Sequence, residues 1–244
     1  MAAWGGLDCD RIFFVAMNTL ENVCVVIPAY QEANRIGDVV RSIRERGFKV
    51  VVVDDGSQDA TAAEAAAAGA TALQHPKNQG KGVALQTAYR YVRQQGFSAL
   101  ITMDGDGQHD PDDLPVLLAV ARATGAPVVV GNRMANPAAM PWVRRLTNRC
   151  MSALLSLLMR QAVPDTQCGF RYYRLDVLLA KLPQASRYAA ESELLLDLAA
   201  RGVPIASAPV RTIYGSEKSK INPVVDTLRF FGMILRYAAR RRRG

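Results

Sequence analysis

Short apolar runs alternate with helical segments through the first half of the chain, and this alternation constrains the fold more than any other feature. The apolar runs predict five strands, at Val23–Pro28, Lys49–Asp54, Thr71–Gln74, Ala99–Asp104 and Pro127–Gly131. Segments with helical periodicity lie between them, at Arg35–Arg46, Asp59–Ala68, Gly82–Gln95 and Asp112–Thr124. This order predicts an α/β fold with a mostly parallel sheet and helices on both of its faces.

The second half of the chain departs from this regular alternation. Its pattern predicts a long amphipathic segment at Trp142–Arg160, a strand at Cys168–Tyr173, a helix at Ala189–Arg201, a strand at Pro204–Val210 and an amphipathic helix at Val224–Arg240. No apolar run approaches the ~20 residues that a membrane-spanning helix requires. We therefore expect amphipathic helices at the C-terminal side of the fold and no membrane span.

The composition narrows the partners and the compartment. The formal net charge of +8 implies anionic partners, and Arg240–Arg243 form a closing basic run. The four cysteines lie far apart without a CxxC pair, which argues against a zinc knuckle or a disulfide framework. A reducing, cytosolic setting fits best, and nucleotide phosphates, anionic lipid and nucleic acid all stay open as partners at this level.

Polar clusters follow the predicted strands at their carboxyl ends, where open parallel sheets bind their ligands. They are Pro28–Glu32, Asp54–Thr61, Asn78–Gly82 and Asp104–Pro111. The adjacent carboxylates of Asp54 and Asp55 repel each other unless they meet hydrogen-bond donors or a cation, and a nucleobase or ribose offers such donors. Lys81 lies between two glycines at a predicted helix start, which favours an anion, although the spacing is not that of a P-loop.

The cluster after the fourth strand has the most specific chemistry. Asp104 and Asp106 are two residues apart at a predicted strand end, so their carboxylates can converge on one side, and the glycines between and after them let the backbone approach a ligand closely. Hard oxygen ligands of this kind suit Mg²⁺ or Mn²⁺ shared with substrate phosphate. The pattern lacks the glutamate at the twelfth position of a calcium loop.

In this order the motifs resemble family 2 glycosyltransferases, most closely the dolichyl- and polyprenyl-phosphate sugar transferase branch. The resemblance runs from about Val23 to Ile221. Its motifs are Pro28-x-Tyr30-x-Glu32, Asp54–Thr61, Asn78–Gly82, Asp104–Pro111, Gly131-Asn132-Arg133, Asp165–Arg171 and Ser219-Lys220. The division that follows is an N-terminal extension over residues 1–22, a catalytic domain over 23–221 and a basic amphipathic helix and tail over 222–244.

The resemblance implies a glycosyltransferase A-type fold and an inverting sugar transfer from a nucleotide-sugar donor. It implies that the nucleotide-sugar site comprises Pro28, Tyr30, Glu32, Asp55, Gly56, Lys81 and Asp104. By the same resemblance Asp104, Asp106 and Gln108 hold the Mg²⁺ or Mn²⁺ ion and the donor diphosphate. The bound cation would neutralise the leaving group, and Arg133 and Arg211 are candidates to add fixed positive charge near the phosphates.

The acceptor decides whether a general base is needed. A lipid phosphate is already ionised near neutral pH and attacks directly, whereas a hydroxyl must lose its proton to a positioned carboxylate. The candidate bases are Asp165, Glu191 and Glu193. Polyprenyl phosphate is the leading acceptor, and a hydroxyl lipid that forms a glycolipid is the rival.

The amphipathic segments predict a peripheral enzyme on the cytoplasmic face of an anionic membrane. We expect residues 224–244 to lie in the plane of the membrane as its anchor, with Trp142, Leu146, Leu154 and Leu158 of the earlier segment forming a second contact flanked by Arg144, Arg145 and Arg149. Two other classes fit less well. A sugar-nucleotide nucleotidyltransferase would carry a glycine-rich loop after the first strand, and a nucleic-acid-binding module would interleave basic and aromatic residues, so nucleic acid is not an expected partner.

Overall fold

One mixed sheet organises the computed structural model, which describes residues 22–135, 137, 140–178, 189–213, 230, 232, 234 and 237. Within these residues the strands are β1 Val23–Ala29, β2 Lys49–Asp54, β3 Thr71–Gln74, β4 Ala99–Thr102, β5 Val128–Asn132, β6 Arg171–Arg174 and β7 Ile205–Pro209. Their spatial order is β3-β2-β1-β4-β6-β5-β7. Only β6 runs antiparallel to its neighbours among these strands, so the predicted mostly parallel α/β sheet is confirmed.

Helices connect the strands as the periodicity predicts. They are α1 Ala33–Glu45, α2 Thr61–Ala67, α3 Lys81–Gln94, α4 Leu114–Thr124, α5 Trp142–Met159 and α6 Ala189–Ala200. In α1 the buried residues Ile36, Val39, Val40 and Ile43 recur at three- and four-residue steps, which places one apolar stripe against the sheet. The runs of buried residues in β1 and β2 show that the centre of the sheet is covered on both faces.

The end of β4 differs from the prediction. The strand ends at Thr102, two residues before the predicted Asp104, although the Met103 N–H still donates to the Val26 carbonyl at 3.0 Å. Gly105 then packs so close to β1 that an added Cβ would lie 3.2 Å from Ile27 Cγ2. The two aspartates of this motif therefore lie in the turn after the strand, on the carboxyl side of the sheet.

Both ends of the chain fall largely outside the described residues, and so do most of the N-terminal extension over 1–22 and the predicted helix at Val224–Arg240. Four residues of that helix are described as helical, and Phe230 is buried in the core while Ile234 and Tyr237 pack against it. The Tyr237 hydroxyl donates to the Leu196 carbonyl at 3.1 Å. These side chains belong to the helix that we expect to lie on the membrane, but they contact the catalytic domain. Among the described residues, no helix combines the length and the apolar character that crossing a membrane demands.

Candidate active site

The loops after β1, β2 and β3 meet at one edge of the sheet and enclose a cleft of about 630 Å³. Hydrogen bonds join the first two loops, from the Asp55 N–H to the Ala29 carbonyl at 2.8 Å and from the Gln31 N–H to Ser57 Oγ at 2.8 Å. The cleft is lined by Tyr30, Gly56, Ser57, Gln58, Gln74, His75, Pro76, Lys77 and Asn78. The edge at which this cleft opens is the one predicted to bind the ligand.

Two of the predicted nucleotide-pocket residues line this cleft. Tyr30 exposes 41% of its surface there, and Gly56 borders the same space. Gly56 has a φ of 75°, and a Cβ added to it would lie 2.4 Å from the Lys77 carbonyl carbon. Only glycine fits at this position, because the second loop approaches the backbone after β3 too closely for any side chain.

Asp55, Pro28 and Glu32, also predicted for the nucleotide-sugar site, are not among the residues that line this cleft. Asp55 is buried, and its carboxylate accepts the N–H groups of Gln79 at 3.0 Å and Gly80 at 2.6 Å and contacts His75 Nδ1 at 2.7 Å. The carboxylate therefore already has hydrogen-bond donors within the protein, and its contact with a nucleoside stays a prediction. It also occupies the amides at the start of α3, where the sequence suggested an anion.

Pro28 and Glu32 lie at the end of β1 and in the loop that follows it. Pro28 lies within β1 opposite Val53, and the Glu32 N–H donates to Thr61 Oγ1 at 2.9 Å. Both residues support the turn that carries Tyr30. Tyr30 faces the cleft, and the contact of Pro28 and Glu32 with the nucleotide stays a prediction.

Lys81 links the second half of the chain to the turn after β4. Its ammonium lies 2.6 Å from Asp104 Oδ1 and 2.7 Å from Glu191 Oε2, although these residues are far apart in sequence. Burial alone would lower the pKa of Lys81, but the two carboxylates raise it well above its usual value. Lys81, Asp104 and Glu191, each predicted for the site, are thus brought together.

Neighbouring residues keep Asp104 ionised and restrict the position of its carboxylate. Burial would raise its pKa, but Lys81 and His109, whose Nε2 lies 3.6 Å from Asp104 Oδ2, hold that pKa well below the usual range. Gly169 packs directly against it, because an added Cβ would lie 2.6 Å from Asp104 Oδ2. The Gly169 carbonyl is in turn fixed by Thr102 Oγ1, which donates to it at 2.7 Å.

Asp106 and Gln108 follow in the same turn and offer further oxygen ligands. Asp106 Oδ1 accepts the Gln108 N–H at 3.0 Å, which leaves Oδ2 without a hydrogen-bond partner among the described residues. No group of three or more His, Cys, Asp or Glu side chains in the described part of the chain is arranged to hold a metal. Two carboxylates and an amide suit a hard divalent cation whose remaining ligands come from a substrate rather than a closed protein site.

Arg133 and Asp165 form a buried ion pair with each other. Arg133 Nε and Nη2 donate to the Asp165 carboxylate at 2.8 and 3.0 Å, and the Arg133 N–H adds a third bond at 3.1 Å. Their side chains are 7% and 0% exposed. Arg133, predicted beside the phosphates, and Asp165, a candidate base, thus neutralise one another beneath the surface.

Arg211 binds the acidic turn that follows the two aspartates. Its N–H and Nε donate to the Asp113 carboxylate at 2.6 and 3.1 Å, and its Nη2 lies 3.2 Å from Asp110 Oδ2. Arg211 therefore fastens residues 110–113 to the end of β7, and its contact with phosphate stays a prediction.

Sequence reasoning did not single out three residues that shape this site. His109 and Gly169 flank Asp104, and Arg171 is fully buried, donating to the carbonyls of Thr166 and Glu191 at 2.8 and 2.9 Å. His109 lies in the motif Asp104–Pro111, and Gly169 and Arg171 lie in the motif Asp165–Arg171. These motifs mark the region of the site but not the roles of these three residues. The contacts of Gly169 with Asp104 and of His109 with Phe170 connect residues more than 60 positions apart, which local patterns do not show.

Comparisons with known proteins agree with this arrangement. The family model described as glycosyl transferase family 2 matches residues 24–180. A dolichyl-phosphate hexose transferase of Haloferax volcanii is 32% identical over 84% of this chain and 89% of its own. A UDP-N-acetylglucosamine–dolichyl-phosphate N-acetylglucosaminyltransferase of Methanococcus voltae is 29% identical over 79% of this chain and 86% of its own.

A solved structure shares the fold over nearly the whole chain. The glucosyl-3-phosphoglycerate synthase of Mycobacterium tuberculosis, crystallised with Mn²⁺, UDP and glucosyl-3-phosphoglycerate, superposes with a TM-score of 0.69. The match covers 96% of this chain and 84% of that one at 21% sequence identity. The predicted glycosyltransferase A-type fold is thereby confirmed.

Proposed function

The chain belongs to glycosyl transferase family 2, and on that premise we propose that it transfers a sugar from a nucleotide-sugar donor to polyprenyl phosphate with inversion at the anomeric carbon. The reaction forms a bond from an acceptor phosphate oxygen to the sugar C1 and breaks the bond from C1 to the donor diphosphate, so no proton has to move. The names of the two relatives, both dolichyl-phosphate sugar transferases, support this acceptor.

The observation that carries the choice of acceptor is the pairing of two of the three candidate bases, Asp165 and Glu191. Asp165 is bound on both oxygens by Arg133, and Glu191 Oε2 is bound by Lys81. An acceptor phosphate is ionised near neutral pH and needs no base, so these ion pairs are compatible with direct attack. A hydroxyl acceptor would need a carboxylate oxygen that no cation already binds.

One observation favours the rival acceptor. Glu191 Oε1 is buried and has no hydrogen-bond partner among the described residues. A carboxylate oxygen with this freedom is placed to accept a proton from a lipid hydroxyl. We therefore keep a glycolipid-forming transfer to a hydroxyl lipid as the second candidate function.

The two parts of the donor would bind at two neighbouring places, the nucleoside in the cleft and the diphosphate beside the turn after β4. The nucleoside would occupy the cleft at Tyr30 and Gly56, and its diphosphate would lie toward Lys81 and the two aspartates. Asp104, Asp106 and Gln108 would hold a Mg²⁺ or Mn²⁺ ion, which when bound supplies positive charge to the leaving diphosphate. The Mn²⁺ in the structurally similar synthase supports a divalent cation here.

We place the enzyme at the surface of an anionic membrane, on its cytoplasmic face, through α5. Trp142 and Leu157 are 75% and 74% exposed, and Leu146 lies between them on the same face. Leu154, predicted for this stripe, packs against the core instead. Arg149 and Arg160 are exposed on the same helix and its cap, so the face combines apolar anchors with positive charge, as interfacial helices do.

A donor screen tests the proposed activity. Purified protein is incubated with a panel of nucleotide-sugars and Mg²⁺ or Mn²⁺, with and without a membrane lipid extract, and released nucleoside diphosphate is measured. We expect release from one donor class that depends on the cation and rises with the lipid extract. The absence of lipid-dependent release across the panel would refute the proposal.

A further inference from the structure

The Lys81 ammonium is paired with an Asp104 oxygen that a divalent cation could also bind. It lies 2.6 Å from Asp104 Oδ1, and a divalent cation on the same oxygen would be repelled by it, because like charges repel strongly in a partly buried site. Its side chain is 18% exposed and that of Glu191 8%, so water screens this repulsion only weakly. A divalent cation would therefore bind Asp104 Oδ1 more tightly if the lysine moved away.

The Asp104 carboxylate is the less mobile partner. Gly169 packs against its Oδ2 so closely that even a methyl group would collide at 2.6 Å, and His109 lies 3.6 Å from the same oxygen. Both neighbours are buried in turn, His109 against the Phe170 ring and Gly169 through the Thr102 hydroxyl. Rotation of the carboxylate is therefore restricted on the side opposite the lysine.

Lys81 can move without losing all of its electrostatic partners. Glu191 Oε2 lies 2.7 Å from the ammonium and can keep it paired when Asp104 is released. A donor diphosphate that arrives at the same place offers a second anionic partner. The lysine side chain is flexible and extends from the first residue of α3, so a shift requires no change of the backbone.

From this geometry we infer that Lys81 and the divalent cation compete for Asp104, so that the free enzyme binds the cation weakly and binds it tightly only together with the donor diphosphate. The inference rests on the proposed metal-dependent function. Lys81 then acts as a positioning residue that makes cation binding conditional on the donor. Glu191 sets the strength of this competition because it shares the ammonium with Asp104.

Direct binding of Mn²⁺ alone to the purified full chain tests the competition, with free Mn²⁺ followed by electron paramagnetic resonance. Lys81→Met should tighten Mn²⁺ binding at least about tenfold, because it removes a positive charge in contact with a ligand oxygen. Glu191→Gln should weaken it, because the ammonium then depends more on Asp104. Lys49→Met is the matched control. It removes an exposed lysine at the start of β2, at the end of the strand away from the site, and should leave Mn²⁺ binding unchanged.

The variants separate this inference from the proposed function. Asp106→Asn introduced into Lys81→Met should abolish the gained affinity, which locates it at the predicted site. Equal Mn²⁺ affinity in the wild type, Lys81→Met and Glu191→Gln would overturn the competition while leaving the metal site in place. If Lys81→Met does not fold by circular dichroism, Lys81→Gln takes its place in the same measurement, with the same tightening expected. Failure of every form to bind Mn²⁺, even with a nucleoside diphosphate, would reject the metal site itself.

Discussion

Removing the carboxylate of Asp165 should destabilise the fold far more than it disturbs the chemistry. Asp165→Ala removes three hydrogen bonds and leaves the Arg133 guanidinium buried without its counter-charge. Breaking such a buried pair from one side costs about 3–5 kcal/mol of unfolding free energy. At roughly 2–4 °C per kcal/mol for a protein of this size, Tm should fall by about 6–20 °C.

Thermal denaturation monitored by circular dichroism measures this effect against a matched control. Asp176→Ala breaks the exposed pair with Arg174, which should cost less than about 1 kcal/mol because water screens it. Replacing both buried partners, with Arg133→Met and Asp165→Leu together, should recover part of the lost stability. A normal Tm for Asp165→Ala combined with a large loss of kcat would refute this reasoning and return Asp165 to the role of a base.

Four further changes test the rest of the site. Asp106→Asn should reduce kcat by roughly two orders of magnitude or more through loss of a metal ligand, with an unchanged circular dichroism spectrum, and near-normal turnover would contradict the metal assignment. Asp55→Ala should raise the donor KM more than it lowers kcat, because the carboxylate supports the loop beside the cleft; steady-state kinetics showing the reverse would exclude that role. Gly169→Ala should lower Mn²⁺ affinity in the presence of nucleoside diphosphate by displacing the Asp104 carboxylate, and unaltered affinity in a calorimetric titration would count against the close packing. Leu157→Ser should reduce sedimentation with anionic vesicles, whereas equal sedimentation would argue against α5 as the contact.

Hydrophobic patterning predicted the sheet because its central strands are buried on both faces. The runs at Val23 and Lys49 contain few polar residues, so no other element competes with a strand there. The strand that contains Ala99 was predicted two residues too long, because Met103 is buried like a strand residue although the chain has already begun to turn. At this turn a residue is buried without being part of the strand. A hydrophobic pattern indicates burial, so it does not show where the strand ends.

Motifs placed the site at the correct edge of the sheet but did not reveal how its charges pair. Lys81 and Glu191 are 110 positions apart, and Arg133 and Asp165 are 32 apart, so no local periodicity connects them. The direction of the Asp55 side chain is likewise not predictable from the sequence. The sequence gives a carboxylate at a strand end, and only the fold decides that it turns inward to His75 rather than outward to a ligand.

The acceptor is the central claim, and a comparison of two lipids tests it most directly. Purified protein receives the donor found in the screen, labelled in its sugar, together with either polyprenyl phosphate or the matching polyprenol in the same vesicles. We predict label in the polyprenyl phosphate product alone, with the product's anomeric configuration inverted relative to the donor. Equal or greater transfer to polyprenol would contradict the account and assign the reaction to a hydroxyl acceptor.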